Sequence, residues 1–346
     1  LLVPAYKVDV TREVDIIEEI LRIHGYNNVE IPMQIRASLN YAPKPDKEVI
    51  QNQVSDLLSA NGFNEILTNS LPKSAYSAKP EEAVKILNPL SSDLDVMRQT
   101  MLFSGLEAIV HNQNRRQADL KFYEFGKVYS TSGQGFKENQ RLVIFMTGNQ
   151  HAENWNGTAP KLSFYNLKST VDAIISRLNL NGFTTSDAQI ENLAYGISYR
   201  RGEKSLVEFG SVSKAVLKKM DISSEVFYAD MDWDAVLKAI RNNQITFREV
   251  PKFPSVRRDL SMLLNKEISF GQLKQIAQKT EKSLLKEVNV FDVYEGDKLP
   301  EGKKSYALSF ILQDEEKTLT DKQIDSIMQK LIFNFEKEAG VEIRKF

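Results

Sequence analysis

At 346 residues and a formal net charge of −1, the chain has room for two or three domains and lacks the bulk charge of a protein that coats nucleic acid. Hydrophobic residues make up 42% and charged residues 26%, an ordinary composition for a protein with sizeable cores, and no apolar run approaches the roughly 20 residues that cross a bilayer. The absence of cysteine excludes disulfides, thiolate zinc sites and cysteine nucleophiles, and the three histidines (His24, His111, His151) are too scattered for a histidine metal site.

The opening LLVPAYKVDV has no basic n-region and no apolar h-region, so it does not read as a signal peptide, and a cytoplasmic setting is expected. It reads as a β-strand without a start methionine, as though the sequence began inside a domain of a longer protein. A helix follows, with Ile16, Ile17, Ile20 and Leu21 as the expected buried stripe and Gly25 as a left-handed C-terminal cap. Pro32, Pro43 and Pro45 then mark an extended connector.

The middle region predicts a helix over 48–60, a turn at Asn61, a strand in NEILTNSL and a helix over 100–115. LKFYEFGKVYS and RLVIFMTG read as neighbouring strands joined by a loop, TSGQGFKENQ. The stretch 164–180 returns to helix, with Leu167, Val171, Ile174, Ile175 and Leu178 on one side, and SLVEFGSVS and VFYADMDWDAV read as further strands. Strands and helices without regular βαβ alternation indicate an α+β, multidomain chain with a mainly antiparallel sheet.

The last hundred residues carry two capping boxes, Ser269 with Gln272 and Thr320 with Gln323, each opening a helix. Strands are expected in DLSMLLN, VNVFDVY, SYALSFILQ and VEIR, which completes a ferredoxin-like βαββαβ order. In SYALSFILQ, Tyr306, Leu308, Phe310 and Leu312 point one way and Ser305, Ala307 and Ser309 the other. From Pro251 onward 17 Lys/Arg face 16 Asp/Glu, so any RNA contact must come from local clusters: Lys252, Arg257 and Arg258 at the first strand, Lys303 and Lys304 at the hairpin. An uncovered sheet face also stacks unpaired bases on aromatic residues, with Phe253 and Tyr306 as candidates and core packing as the plainer role for Tyr306. GKKS at Gly302 lies between two strands, so it is a hairpin turn and not a phosphate loop.

Five carboxylates crowd the first helix: Asp9, Glu13, Asp15, Glu18 and Glu19. Like charges at helical spacing cost a few tenths of a kcal/mol per pair, and acids near a helix N-terminus recover about 0.3–1 kcal/mol from the dipole. These terms nearly cancel. The residues alone fit a solvated face, a cation site or a surface for a basic partner.

Three stretches together resemble the C-terminal part of the bacterial phenylalanyl-tRNA synthetase beta-subunit family. VPAYKVDVTREVDIIEEILRIHGYNNVEIP resembles the end of its metal-contributing domain, giving a boundary of 1–36. NPLSSDLDVMRQTMLFSGLEAIVHNQNRR with FYEFGKVY resembles its class II synthetase-like core, 37–245. KFPSVRRDLSML, VFDVYEG, GKKSYALSF and KTLTD resemble the ferredoxin-fold anticodon-binding (FDX-ACB) domain, 250–346. The resemblance implies a class II synthetase-like antiparallel sheet with flanking helices, followed by the ferredoxin-like domain. It also implies ATP-dependent ligation of phenylalanine to tRNA-Phe by a complex of two alpha and two beta subunits. The chemistry would lie in alpha, and this chain would have no catalytic residues and no activity by itself. Asp9, Asp15, Glu18 and Glu19 match positions that hold magnesium in a site shared with alpha. A working class II site also needs an arginine on a strand pair and a glycine-rich strand–helix segment ending in a second arginine. Arg115 and Arg116 only echo the first, VEFGSVSKAVLKKM lacks the second, and ordinary surface or interface pairing is expected for Arg98, Arg115 and Arg116. The competing readings are a stand-alone RNA-binding or scaffolding paralogue and, more remotely, an independent magnesium-dependent enzyme.

Overall fold

A computed structural model describes residues 2–34, 38, 46–133, 135–243, 246–247, 249–297 and 299–344. The chain divides into two compact units, Leu1–Ile245 and Thr246–Phe346. Pro43, Pro45 and the expected boundary at 36/37 lie outside the described residues.

The opening stretch forms consecutive turns instead of the expected strand, closed by Lys7 N to the Pro4 carbonyl at 3.0 Å and Val10 N to the Lys7 carbonyl at 3.3 Å. No neighbouring strand among the described residues offers it a ladder, and a lone strand leaves its backbone groups unpaired. Helix α1 spans Glu13–His24 and stops at Gly25, which takes a positive φ of 88° but not the left-handed helical region. Its expected buried stripe is not buried. Ile16 and Leu21 are half-covered, while Ile17 and Ile20 are exposed.

The first unit continues with α2 (Lys47–Ala60), β1 (Asn64–Glu65), α3 (Leu102–Gln113), β2 (Leu120–Ser132), β3 (Gly135–Thr147) and α4 (Phe164–Arg177). After these come β4 (Thr184–Asp187), β5 (Leu193–Arg201), β6 (Lys204–Val212), α5 (Lys214–Lys219), β7 (Val226–Asp232) and α6 (Trp233–Ile240). The strands form one sheet in the order β1-β2-β3-β7-β6-β5-β4, parallel only between β1 and β2. Strand β3 is apolar on both sides. Leu142, Ile144 and Met146 join a core under α2, α4 and α6, while Val143 and Phe145 join a second core under α3 and α5.

Three local expectations change here. NEILTNSL pairs at Asn64–Glu65, and the Ile66 N–H makes a last bond to the Tyr123 carbonyl at 2.9 Å before Thr68 turns its N–H and hydroxyl onto the Glu124 carboxylate. The loop expected over 131–140 is mostly ladder, since β2 and β3 stay in register from Leu120↔Thr147 to Ser132↔Gly135. The strand read through Val236 ends at Asp232, whose carboxylate accepts the Ala235 N–H at 2.9 Å and starts α6.

The second unit runs β8 (Val256–Asn265), α7 (Phe270–Thr280), β9 (Leu285–Tyr294), β10 (Lys303–Leu312), α8 (Asp321–Ala339) and β11 (Glu342–Arg344). Its antiparallel sheet has the order β11-β8-β10-β9, with α7 and α8 packed on a core of Met262, Leu264, Leu308, Phe310, Leu312, Leu331 and Phe335. Both capping boxes form. This is the ferredoxin-like βαββαβ fold, and the whole is α+β.

Candidate nucleic-acid and metal interfaces

In the second unit, β10 lies between β8 and β9, and its even-numbered side chains from Tyr306 to Leu312 face the helices. The opposite face is buried at its centre, where Ser305 and Ser309 lie, and exposed along its rim at Arg257, Asp259, Asn289, Phe291 and Tyr294. Its floor is made of small side chains in register: Ser261 beside Ala307, and Asp259 beside Ser309, which is flanked in turn by Asn289. A bulge in β9, where Leu308 pairs with Val290 and Ala307 with Asp292, leaves Phe291 as the extra residue. Phe291 is 50% exposed, and the Arg257 guanidinium lies over its ring at 5.0 Å. Tyr294, partly exposed, pairs with Ser305 at the end of the same face. A shallow floor bordered by an aromatic ring and a cation is the arrangement on which an unstacked base settles. Phe291 and Tyr294 were not among the aromatic residues expected for this role. Both fall in VFDVYEG, but strand alternation does not reveal the bulge that turns Phe291 outward.

The five expected basic contacts are placed unevenly. Arg257 makes a two-pronged pair with Asp259 at 2.8 and 3.2 Å, which raises its already high pKa and keeps it charged. Lys252 lies 3.9 Å from Glu249, Arg258 reaches Asp321 at 3.5 Å, and Lys303 pairs with Glu342. Exposed pairs of this kind contribute about 0–1 kcal/mol each, so a phosphate can replace the carboxylate at little cost. Lys304 differs: it is 7% exposed and its ammonium sits 4.7 Å over the Tyr306 ring. Tyr306 packs against the core, and Phe253 is partly buried with its carbonyl accepting a bond from Gln313.

At α1 the carboxylates do different jobs. Asp15 Oδ2 accepts the N–H groups of Thr11 at 3.0 Å and Arg12 at 2.8 Å, and Oδ1 accepts from the Arg12 guanidinium at 3.1 Å. The Arg12 N–H, then its guanidinium, then the Thr11 N–H hold the Asp15 carboxyl below the usual range. Glu19 pairs with Arg22, while Asp9 and Glu18 are exposed. Carboxylate oxygens suit magnesium, which binds one or two directly and keeps several waters. No group of three or more His, Cys, Asp or Glu side chains converges among the described residues, so α1 does not build a coordination shell by itself.

Arg115 donates to the His111 carbonyl, and Arg116 takes a positive φ of 66° in the turn after α3. Arg98 is neither a surface nor an interface residue: it is buried and paired with Glu124 at 3.1 Å. The strand–helix segment beside the β2–β3 hairpin is β7–α6, one strand away from β6, and it contains neither glycine nor arginine. Gly210 in β6 has a packing reason, since a Cβ there would lie 2.0 Å from the Tyr195 carbonyl oxygen.

Family models match along almost the whole chain. Residues 1–26 match the tRNA synthetase B5 domain, 31–233 the phenylalanyl tRNA synthetase beta chain CLM domain, and 251–344 the ferredoxin-fold anticodon binding domain. The phenylalanine–tRNA ligase beta subunit of Bacteroides fragilis is 45% identical over 99% of this chain and 44% of its own. Those of Porphyromonas gingivalis and Thermotoga maritima are 41% and 30% identical with the same coverage. The chain thus spans 44% of the length of the curated relatives it matches. A solved ATP phosphoribosyltransferase regulatory subunit/histidyl-tRNA synthetase from Bacillus halodurans aligns with a TM-score of 0.47 at 12% identity, over 62% of this chain and 85% of that one, too distant to add to the assignment. On the strength of the core match and of these relatives, the chain belongs to the phenylalanine–tRNA ligase beta-subunit family.

Proposed function

We propose that this chain is the tRNA-gripping and partner-bracing portion of an ATP-dependent phenylalanine–tRNA ligase, whose bond-making chemistry resides in an alpha subunit within a heterotetramer of two alpha and two beta chains. Residues 1–36 form the remnant of a metal-contributing domain, 37–245 an inactive class II-like core and 250–346 the anticodon-binding domain. The setting is the cytoplasm. The observation that carries this reading is the exposed rim of the second unit's sheet, where Arg257 lies over Phe291 beside a floor of small side chains. An unpaired anticodon base stacks on Phe291, and Lys252, Arg257, Arg258 and Lys303 hold the neighbouring phosphates, with Lys304 adding charge from beneath the hairpin.

Fluorescence anisotropy with a phenylalanine tRNA transcript tests this directly. Phe291→Ala is expected to weaken binding by about 1–3 kcal/mol without altering the salt dependence. Arg257→Gln is expected to lower the slope of log K against log salt by about 0.7–0.9. Affinities and slopes untouched by both substitutions reject the surface. They would favour a stand-alone scaffolding paralogue, a reading that the presence of all four acids, Asp9, Asp15, Glu18 and Glu19, argues against.

In the same proposal Asp9, Asp15, Glu18 and Glu19 are this chain's share of a magnesium site completed by the alpha subunit. Asp15 fixes the start of α1, and the other three meet the ion largely through water. The incomplete phosphate clamp of the core supports placing ATP in alpha. Titrated alone, the chain should give no saturable magnesium heat and no phenylalanine-dependent exchange of pyrophosphate into ATP. Adding the alpha subunit should supply both. Exchange catalysed by the isolated chain would overturn the division of labour.

A further inference from the structure

A corner of the synthetase-like unit gathers six cations around a single hairpin acid. The β5–β6 hairpin turns through Gly202 at φ 60° and carries Arg200, Arg201 and Lys204, with Glu203 as the acid of the turn. Arg201 Nη1 donates to the Ala239 carbonyl at 2.8 Å, so the hairpin tip rests against the C-terminal end of α6, where Lys238 and Arg241 lie. Asn243 Nδ2 donates to the Leu178 and Asn179 carbonyls at 3.3 and 2.8 Å, which brings in the end of α4 and Arg177. Arg200 is half-buried and the other five are exposed or nearly so. None of the six makes an ion pair among the described residues.

A structural role accounts for part of this. Cations in the last turn of a helix offset its dipole, which suits Arg177 and Lys238, and Arg201 satisfies an orphan carbonyl of α6. Arg200 knits the hairpin through its bond to the Glu203 carbonyl. Lys204 and Arg241 serve no such purpose, since their side chains make no hydrogen bond among the described residues. The six charges repel one another, and a polyanion laid across them relieves that repulsion. Four of the six are arginines, whose planar guanidinium matches a phosphate with two parallel bonds.

We infer that this corner is a second, sequence-independent contact for the phosphate backbone of a folded RNA, formed entirely within the first unit. The inference rests on the tRNA-binding reading above. RNA is favoured over an acidic protein because regularly spaced phosphates engage several separate cations at once, and because the same chain carries an anticodon-binding domain.

The test uses the full chain and a full-length tRNA transcript, with affinity measured between about 50 and 200 mM salt. Arg177, Lys204 and Arg241 are replaced together by glutamine. All three are exposed and hydrogen-bond to nothing in the described chain, so the fold is not at stake, and Arg201 is left in place. The triple variant should lower the slope of log K against log salt by about 2–3 and weaken binding at least roughly tenfold at low salt. Its effect should add to that of Arg257→Gln, which lies in the other unit. An unchanged slope in the triple variant, with Arg257→Gln still lowering it, overturns the second contact and leaves the anticodon surface standing. A parent chain that binds no RNA, or a slope indifferent to both variants, overturns both.

Discussion

Replacing Glu124 with leucine is expected to destabilise the synthetase-like unit by about 3–5 kcal/mol, the cost of leaving one member of a buried ion pair alone. Arg98 and Glu124 are 3% and 1% exposed, so neither charge reaches water. Arg98 donates to the Lys127 carbonyl at 2.9 Å, to Thr68 Oγ1 at 2.8 Å and to Glu124 Oε1 at 3.1 Å, while Glu124 also receives the Thr68 hydroxyl at 2.6 Å. This network ties the 68–72 and 96–101 segments onto β2. Gly126 leaves room for it, since a Cβ there would lie 2.3 Å from an Arg98 guanidinium nitrogen. Loss of the carboxylate strands the guanidinium with two neutral acceptors. The double variant Arg98→Met with Glu124→Leu should recover most of the loss, because apolar side chains of similar volume replace a buried pair with little penalty. Denaturant unfolding of both variants decides the matter. A single substitution costing under about 1 kcal/mol would show that water or relaxation relieves the charge.

Phe335→Ala should remove a comparable amount, about 3–5 kcal/mol, from the ferredoxin-like unit alone. Phe335 is fully buried on α8, and its ring packs 6.0 Å from that of Phe310 on β10. Truncation opens a cavity between the helix and the sheet that carries the small-residue floor on its other side. At roughly 4–8 °C per kcal/mol for a domain of this size, the melting temperature of that unit should fall by more than about 12 °C. Because each unit has its own core, calorimetry of the full chain should show one transition moving and the other holding. Equal displacement of all unfolding signals would mean that the two units melt as one.

What could be read from residues alone was what local chemistry settles. The capping boxes at Ser269 and Thr320 start helices through side-chain bonds within four residues, and Leu167, Val171, Ile174 and Ile175 form a buried helical stripe. Partners distant in sequence settle the rest. The stripe of α1 has helical spacing, but spacing cannot say whether anything covers it. DMDWDAV alternates like a strand, yet Asp232 finds the Ala235 N–H and turns the chain into α6. For the contacts with RNA, charge runs pointed to Lys303 and Lys304 alike. Strand alternation sends the two to opposite faces, so that Lys304 lies over Tyr306 while Lys303 stays with Glu342. The Phe291 platform depended on a bulge, and Arg98 looked like a surface residue because Glu124 lies 26 positions away.

The strand order of the large sheet sets a schedule for synthesis. Strand β3 takes its second neighbour from Val226–Asp232, so the apolar edge of the β2–β3 hairpin emerges from the ribosome about 80 residues before its cover exists. An uncovered apolar edge is an invitation to pair with another chain. Slowing translation between Thr147 and Val226 should therefore lengthen that exposure and raise the demand for chaperones, whereas a pause after Asp232 should not.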